Sequence, residues 1–136
     1  MGDGREERTA IVTGADRRLG AAIAETLHRR GLNVLIHCRG SIEVRVAALN
    51  AVRPGSAALA VADLGDDDAP ERIVSAALDA FGRVDVLVNN ASGFYPTPLD
   101  RADRSDWDAL IDSNQRGPFW LSLAAARAMD RGSYGG

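Results

Sequence analysis

Thr13-Gly14-Ala15-Asp16-Arg17-Arg18-Leu19-Gly20 puts a glycine near each end of a short turn, between the aliphatic run Ala10–Thr13 and a segment with helical spacing. Glycine lets the backbone turn tightly and approach a ligand closely, and a helix N-terminus offers unpaired N–H groups and the positive end of its dipole. A pyrophosphate suits that combination; an ordinary strand-to-helix turn is the alternative for a glycine pair taken alone. Gly20 is followed by Ala21 rather than Lys-Ser/Thr, which disfavours nucleoside triphosphate hydrolysis. The stretch Ser92-Gly93-Phe94-Tyr95-Pro96-Thr97-Pro98 is too long and too aromatic for a plain connector and is a candidate ligand loop. His28 and His37 lack partners at metal spacing and Cys38 is the lone cysteine, so no metal site is expected. His28 is expected on a helix surface and His37 at a strand end. No Gly-x-Ser-x-Gly elbow supports a hydrolase.

The elements that must position these groups alternate in period. Ala10–Thr13, Asn33–Cys38, Ala57–Ala62 and Val84–Asn89 are short, continuous aliphatic runs that read as strands buried on both faces. Between them, Leu19, Ile23 and Leu27 recur at helical spacing before Gly31, and Ile42, Val46 and Leu49 do so before Pro54-Gly55. A third helix carries Ile73, Ala77, Leu78 and Phe81, with Asp68 and Glu71 at N-cap and N3 spacing and Gly82 as its stop. A further helix is expected to start near Ser105, capped by its hydroxyl with Asp108 at N3, and to run to about Met129. Strand and helix repeated with short connections force a parallel sheet with right-handed crossovers, so the fold class is α/β, a Rossmann-type doubly wound sheet. Such a sheet binds ligands at the carboxyl ends of its strands. The expected division is a flexible tail over 1–8 and a partial dinucleotide-binding domain over 9–136, cut after the fourth strand and the helix that follows, with the inner sheet edge unpaired.

The 136 residues carry 16 Lys+Arg against 19 Asp+Glu, a formal charge of −3, so there is no overall pull toward nucleic acid or an acidic membrane. Hydrophobic residues make up 46%, enough for a packed core, and no apolar run approaches the roughly 18 residues of a membrane helix. The start lacks the apolar core of a secretory signal, and the cysteine usage fits a reducing compartment; a cytoplasmic protein is expected.

The Thr13-Gly14 to Gly20 turn, together with Asn89-Asn90-Ala91 after the fourth strand, resembles the short-chain dehydrogenase/reductase family. Arg18 stands where that family's usual glycine triplet has its middle glycine. Arg17-Arg18-Leu19-Gly20, Asn90-Ala91-Ser92 and Phe94-Tyr95-Pro96-Thr97-Pro98-Leu99 resemble its pteridine reductase branch. The similarity runs from Thr9 to about Met129.

At the tip of the second strand lie Arg39 and Ser41, with no acid before Glu43. A ribose 2′-phosphate wants a guanidinium and hydroxyl donors where an NAD site wants a carboxylate, so Arg39 and Ser41, helped by Arg17 or Arg18, favour NADPH. Surface arginines that merely solubilise the chain are the alternative. The resemblance implies that Asp63-Leu64 bracket the adenine and that the backbone of Asn90 and Ala91 lines the nicotinamide ribose; a loop role for Asp63 is the alternative, and Asn89 is expected to tie neighbouring strands together. It implies a pterin stacked on Phe94, with Ser92 touching cofactor or substrate and Gly93 standing where that branch often has a second serine. Phe94 and Tyr95 as hydrophobic plugs are the alternative.

Asn114 matches the family's helix asparagine, whose main-chain carbonyl anchors a water in the proton relay. Pro118 has no N–H for that carbonyl, so a helix through Gly117-Pro118 is expected to kink there; two short helices meeting at Gly117-Pro118 is the competing reading. The family's Tyr-x3-Lys pair is not found: lysine is absent and nothing follows Tyr134 at that spacing. The expectation is therefore part of an NADPH-dependent reductase for pterins, inactive by itself and a homo-oligomer, such as a tetramer, when complete. The rivals are a short-chain reductase for another carbonyl or enoyl substrate, a non-catalytic dinucleotide-binding fragment, and a gene remnant that does not fold.

Overall fold

The computed structural model describes residues 7–40 and 42–131. Ser41 and Tyr134 lie outside the described residues, as does most of the expected tail. Four parallel strands, β1 (Thr9–Val12), β2 (Asn33–Cys38), β3 (Ala57–Val61) and β4 (Val86–Val88), pair in the order β3-β2-β1-β4. Their connections carry α1 (Arg18–Arg29), α2 (Glu43–Val52) and α3 (Ala69–Phe81), and after β4 come α4 (Arg104–Ile111) and α5 (Gly117–Arg131).

The sheet is covered on both faces, which is why its strands are aliphatic throughout rather than alternating. On one face Val12, Val34, Ile36 and Ala57 pack with Ala24 of α1 and Leu49 of α2. On the other, Ile11, Leu35 and Ala60 pack with Ile73 and Ala77 of α3 and with Leu121, Ala125 and Ala128 of α5. Glu7 and Arg8, which the sequence places in the tail, are tied to this body: Asn33 N–H donates to the Arg8 carbonyl at 2.8 Å, and Arg53 pairs with Glu7 at 3.1 Å.

Three boundaries differ from those read in the sequence. β4 spans three residues rather than six, because the Asp85 carboxylate takes the Thr9 N–H at 2.8 Å and so substitutes for a ladder bond at the strand's start. Asp68 precedes α3 but makes no side-chain cap; it sits at φ −90°, ψ −6°, and its carboxylate lies 3.6 Å from Arg72. The cap of α4 is Asp103, not Ser105: Asp103 accepts from the Asp106 N–H at 3.0 Å, and Asp106 accepts from the Asp103 N–H at 3.1 Å. Ser105 donates its hydroxyl to Asp103 at 2.6 Å, bracing that cap instead of forming its own. Gly82 does stop α3, at φ +76°.

Candidate functional site

A cleft of about 810 Å³ opens along the carboxyl edge of the sheet. The turn between β1 and α1 gives it Gly14, Arg17, Arg18, Leu19 and Gly20; the tip of β2 gives Arg39. Asp63 and Leu64 enter from the end of β3, and Asn90, Ala91, Ser92 and Phe94 from the segment after β4. Asn114 stands behind the cleft and acts on it through Gly93.

The floor is an interlock of small residues. Gly14 has φ +59°, and a Cβ there would lie 2.8 Å from the Ala91 Cα. A Cβ on Gly20 would collide with the Gly14 carbonyl and the Asn90 amide. The Thr13 hydroxyl, buried at the end of β1, accepts from the N–H groups of Asn90 at 3.0 Å and Ala91 at 2.9 Å. Asn90 returns the link, its Nδ2 donating to the carbonyls of Thr13 and Gly14, each at 3.1 Å. The strand-tying role expected of Asn89 thus belongs to the side chain of Asn90, while Asn89 reaches Ser122 of α5 at 3.0 Å. With their N–H groups engaged by Thr13, Asn90 and Ala91 have only their carbonyls left on the main chain for a ligand.

Above this floor, α1 begins without a side-chain cap and without an acidic residue in its first turn, which leaves its positive end open to an anion. Arg17 precedes the helix in extended backbone, its Nε 3.8 Å from the Asp16 carboxylate. Arg18 has φ +51°, alone among the described non-glycine residues in the left-handed region, at a cost of about 1 kcal/mol. The position keeps a glycine-like backbone although it carries a guanidinium. Arg39 is exposed at the neighbouring strand tip.

On the far wall, Asp63 is exposed and its Oδ1 accepts from the Gly65 N–H at 2.9 Å, while Leu64 is buried. Phe94 is 88% exposed, so it is no plug, and the Tyr95 hydroxyl reaches the Asp106 carbonyl of α4 at 3.4 Å. Gly93 has no room for the serine of the resembling branch, because a Cβ would meet the Ser113 hydroxyl at 2.5 Å. The Asn114 side chain grips Gly93 on both sides, accepting from its N–H and donating to its carbonyl, each at 2.8 Å. That grip is not readable in the sequence, which points only to the Asn114 main chain.

The expected kink takes the form of a π-turn over Asp112–Arg116, in which the Gly117 N–H donates back to the Asp112 carbonyl, five residues earlier. Gly117 is required for a second reason: a Cβ there would come within 2.6 Å of the Leu64 carbonyl, so its absence lets the helix pack on the end of β3.

Both histidines are buried, which corrects the expected surface position of His28. His28 Nε2 and the Ser56 hydroxyl are 2.6 Å apart under α1. His37 Nδ1 accepts from the Gly14 N–H at 3.3 Å, and Nε2 faces the Ala62 carbonyl at 2.9 Å. Burial lowers the pKa of each; the nearby Arg53 adds to this for His28, whereas the Ala62 bond, Asp16 and Asp63 oppose it for His37. With folded-state values below the unfolded value of about 6.5, the unfolded chain takes up protons first as the pH drops. The stabilisation is complete above that pH and declines as the pH falls toward the lowered folded values. Urea unfolding midpoints are therefore expected to be lower at about pH 5.5 than at about pH 7.5, and replacing both histidines with asparagine should flatten the difference.

The short chain dehydrogenase family profile matches residues 8–136. The chain is 38% identical to sorbitol dehydrogenase of Cereibacter sphaeroides, over 95% of this chain and 50% of that protein. It is 41% identical to pteridine reductase 1 of Leishmania tarentolae, over 86% of this chain and 46% of that one. A metagenomic short-chain oxidoreductase solved in complex with NADP superposes with a TM-score of 0.83 at 37% identity, covering 94% of this chain and 59% of that structure. The chain thus spans about half the length of these curated relatives. Among the described residues no helix is long and apolar enough to cross a membrane. The parallel sheet, the interlocked glycine turn and the match along almost the whole sequence agree that this chain belongs to the short chain dehydrogenase family.

Proposed function

We propose that the chain, residues 9–136 above all, is the dinucleotide-binding part of an NADPH-dependent reductase that acts on a pterin-like ring. What carries the reading is one juxtaposition: the open N-terminus of α1, flanked by Arg17 and Arg18, shares a cleft with Arg39 and with the exposed ring of Phe94. The donor set suits a phosphorylated dinucleotide. Gly14 and Gly20 leave space that a Cβ would fill, and the helix end and arginines supply positive charge without a competing carboxylate in that first turn.

Arg17, Arg18 and the first N–H groups of α1 hold the pyrophosphate. Arg39, with Ser41, holds the 2′-phosphate. Asp63 and Leu64 flank the adenine, and Asn90, Ala91 and Ser92 hold the nicotinamide end. When bound, the nicotinamide supplies a hydride. Phe94 and Ser92 orient the substrate ring over it, and a flat heteroaromatic is well held by a ring face on a loop stiffened by Pro96 and Pro98. Asn114 fixes Gly93, and its carbonyl, to which Pro118 can give no N–H, orients a water for proton delivery. The exposed Trp107, Phe119 and Trp120 on α4 and α5 support a homo-oligomer, and a cytoplasmic setting suits the buried free thiol of Cys38.

Arg39→Glu tests the cofactor half of the reading: NADPH affinity should fall about tenfold more than NADH affinity, measured by fluorescence titration. Equal losses for both would contradict it. Phe94→Ala tests the substrate half: dihydropterin KM should rise with NADPH affinity unchanged. A drop in melting temperature instead would make the ring structural.

A further inference from the structure

His37 is an odd residue for its place. It is 1% exposed, in a strand whose other buried members are Val34, Leu35, Ile36 and Cys38. An aliphatic residue would pack there without the cost of burying a polar ring. What the imidazole adds is a pair of bonds between segments that share no strand pairing. Nδ1 accepts from the Gly14 N–H at 3.3 Å, and that acceptor role fixes the neutral tautomer in which Nε2–H donates to the Ala62 carbonyl at 2.9 Å. The main-chain carbonyl of the same residue accepts the next amide of the turn, Ala15 N–H, at 3.0 Å. One residue therefore clamps two successive amides of the glycine turn and the end of β3. The Gly14 N–H, being bound to the ring, is spoken for, so anion donors must come from further along the turn and from α1. Asp16 on the turn and Asp63 beyond β3 are the charged groups that act on the ring.

We propose that His37 is a positioning residue for dinucleotide binding: its imidazole couples the turn that faces the pyrophosphate to the tip of β3 that faces the adenine, so the two halves of the cradle keep a fixed separation. The proposal rests on the dinucleotide reading above. His37 does not touch the 2′-phosphate side chains, so its loss weakens phosphorylated and unphosphorylated nucleotides alike, unlike the loss of Arg39.

The test uses the intact protein that carries this chain, with His37→Phe, which fills the space without hydrogen bonds, and His37→Asn, which offers an acceptor and a donor. Affinities for NADP and NAD are measured by calorimetry near neutral pH. His37→Phe is expected to weaken both by about tenfold and His37→Asn to recover most of that loss. If His37→Phe binds both nucleotides like the wild type, or if Asn and Phe variants lose affinity equally, the proposal is overturned while the dinucleotide reading stands. If the wild type binds neither nucleotide, the dinucleotide reading fails and the proposal with it. Should His37→Phe not fold, the imidazole 15N spectrum of the wild type decides: a bare Nδ1 and protonated Nε2, with a slowly exchanging Gly14 amide, are required, and the opposite tautomer refutes the coupling.

Discussion

Gly20→Ala is expected to lower the melting temperature by about 10 °C and to abolish dinucleotide binding, the former following from about 2–3 kcal/mol of overpacking. The added methyl would enter space held by the Gly14 carbonyl and the Asn90 amide, and neither can yield cheaply. Moving the Gly14 carbonyl breaks its bond from Asn90 Nδ2 and pushes the turn against Ala91. Gly31→Ala is the matching control. Gly31 has φ +91° but no atom within 4 Å of the place its new methyl would take, so only backbone strain of about 1 kcal/mol is expected. Thermal unfolding of the two variants side by side separates a steric requirement from a conformational one. If Gly20→Ala melted no lower than Gly31→Ala, the interlock would not be the tight contact described.

Thr13→Val should cost about 2–4 kcal/mol, because one isosteric change leaves two N–H groups, of Asn90 and Ala91, without their acceptor. Thr13→Ser keeps the hydroxyl and should lose only about 1 kcal/mol for its methyl group. Chemical denaturation gives the comparison directly. The functional consequence follows from position: Ala91 forms the wall against which Gly14 is packed, so a loosened Ala91 widens the cradle and weakens nucleotide binding even in molecules that remain folded. Equal stability of the Val and Ser variants would show that the hydroxyl does not hold the segment after β4.

Much of this architecture is legible in the order of residues because it is local. The change of period from continuous aliphatic runs to helical spacing marks each strand and helix, and Gly82 stops α3 as its position implies. Where sequence and structure part, two local solutions compete or a distant partner intervenes. Asp103 with Asp106 and Ser105 with Asp108 have the same capping spacing, and nothing local chooses between them; the chain uses the first. β4 is shortened by a side chain, Asp85, that answers a strand start 76 residues earlier. At the site, the glycine turn and its arginines are readable from type and spacing. The grip of Asn114 on Gly93, across 21 residues, and the bonds of His37 to Gly14 and Ala62, across 23 and 25, are not. The burial of His28 is hidden for the same reason, since its partner Ser56 comes from another connection.

The π-turn at Asp112–Arg116 amounts to one surplus residue wound into an otherwise continuous rod, and it sets the azimuth of everything downstream. Excising a single position there, Gln115 for instance, would let the rod close into ordinary α geometry and rotate the following segment by about 100°. Leu121, Ala125 and Ala128 would then swing away from the sheet, and polar neighbours would take their seats. A one-residue deletion should thus be more damaging to this chain than most point substitutions along the same helix.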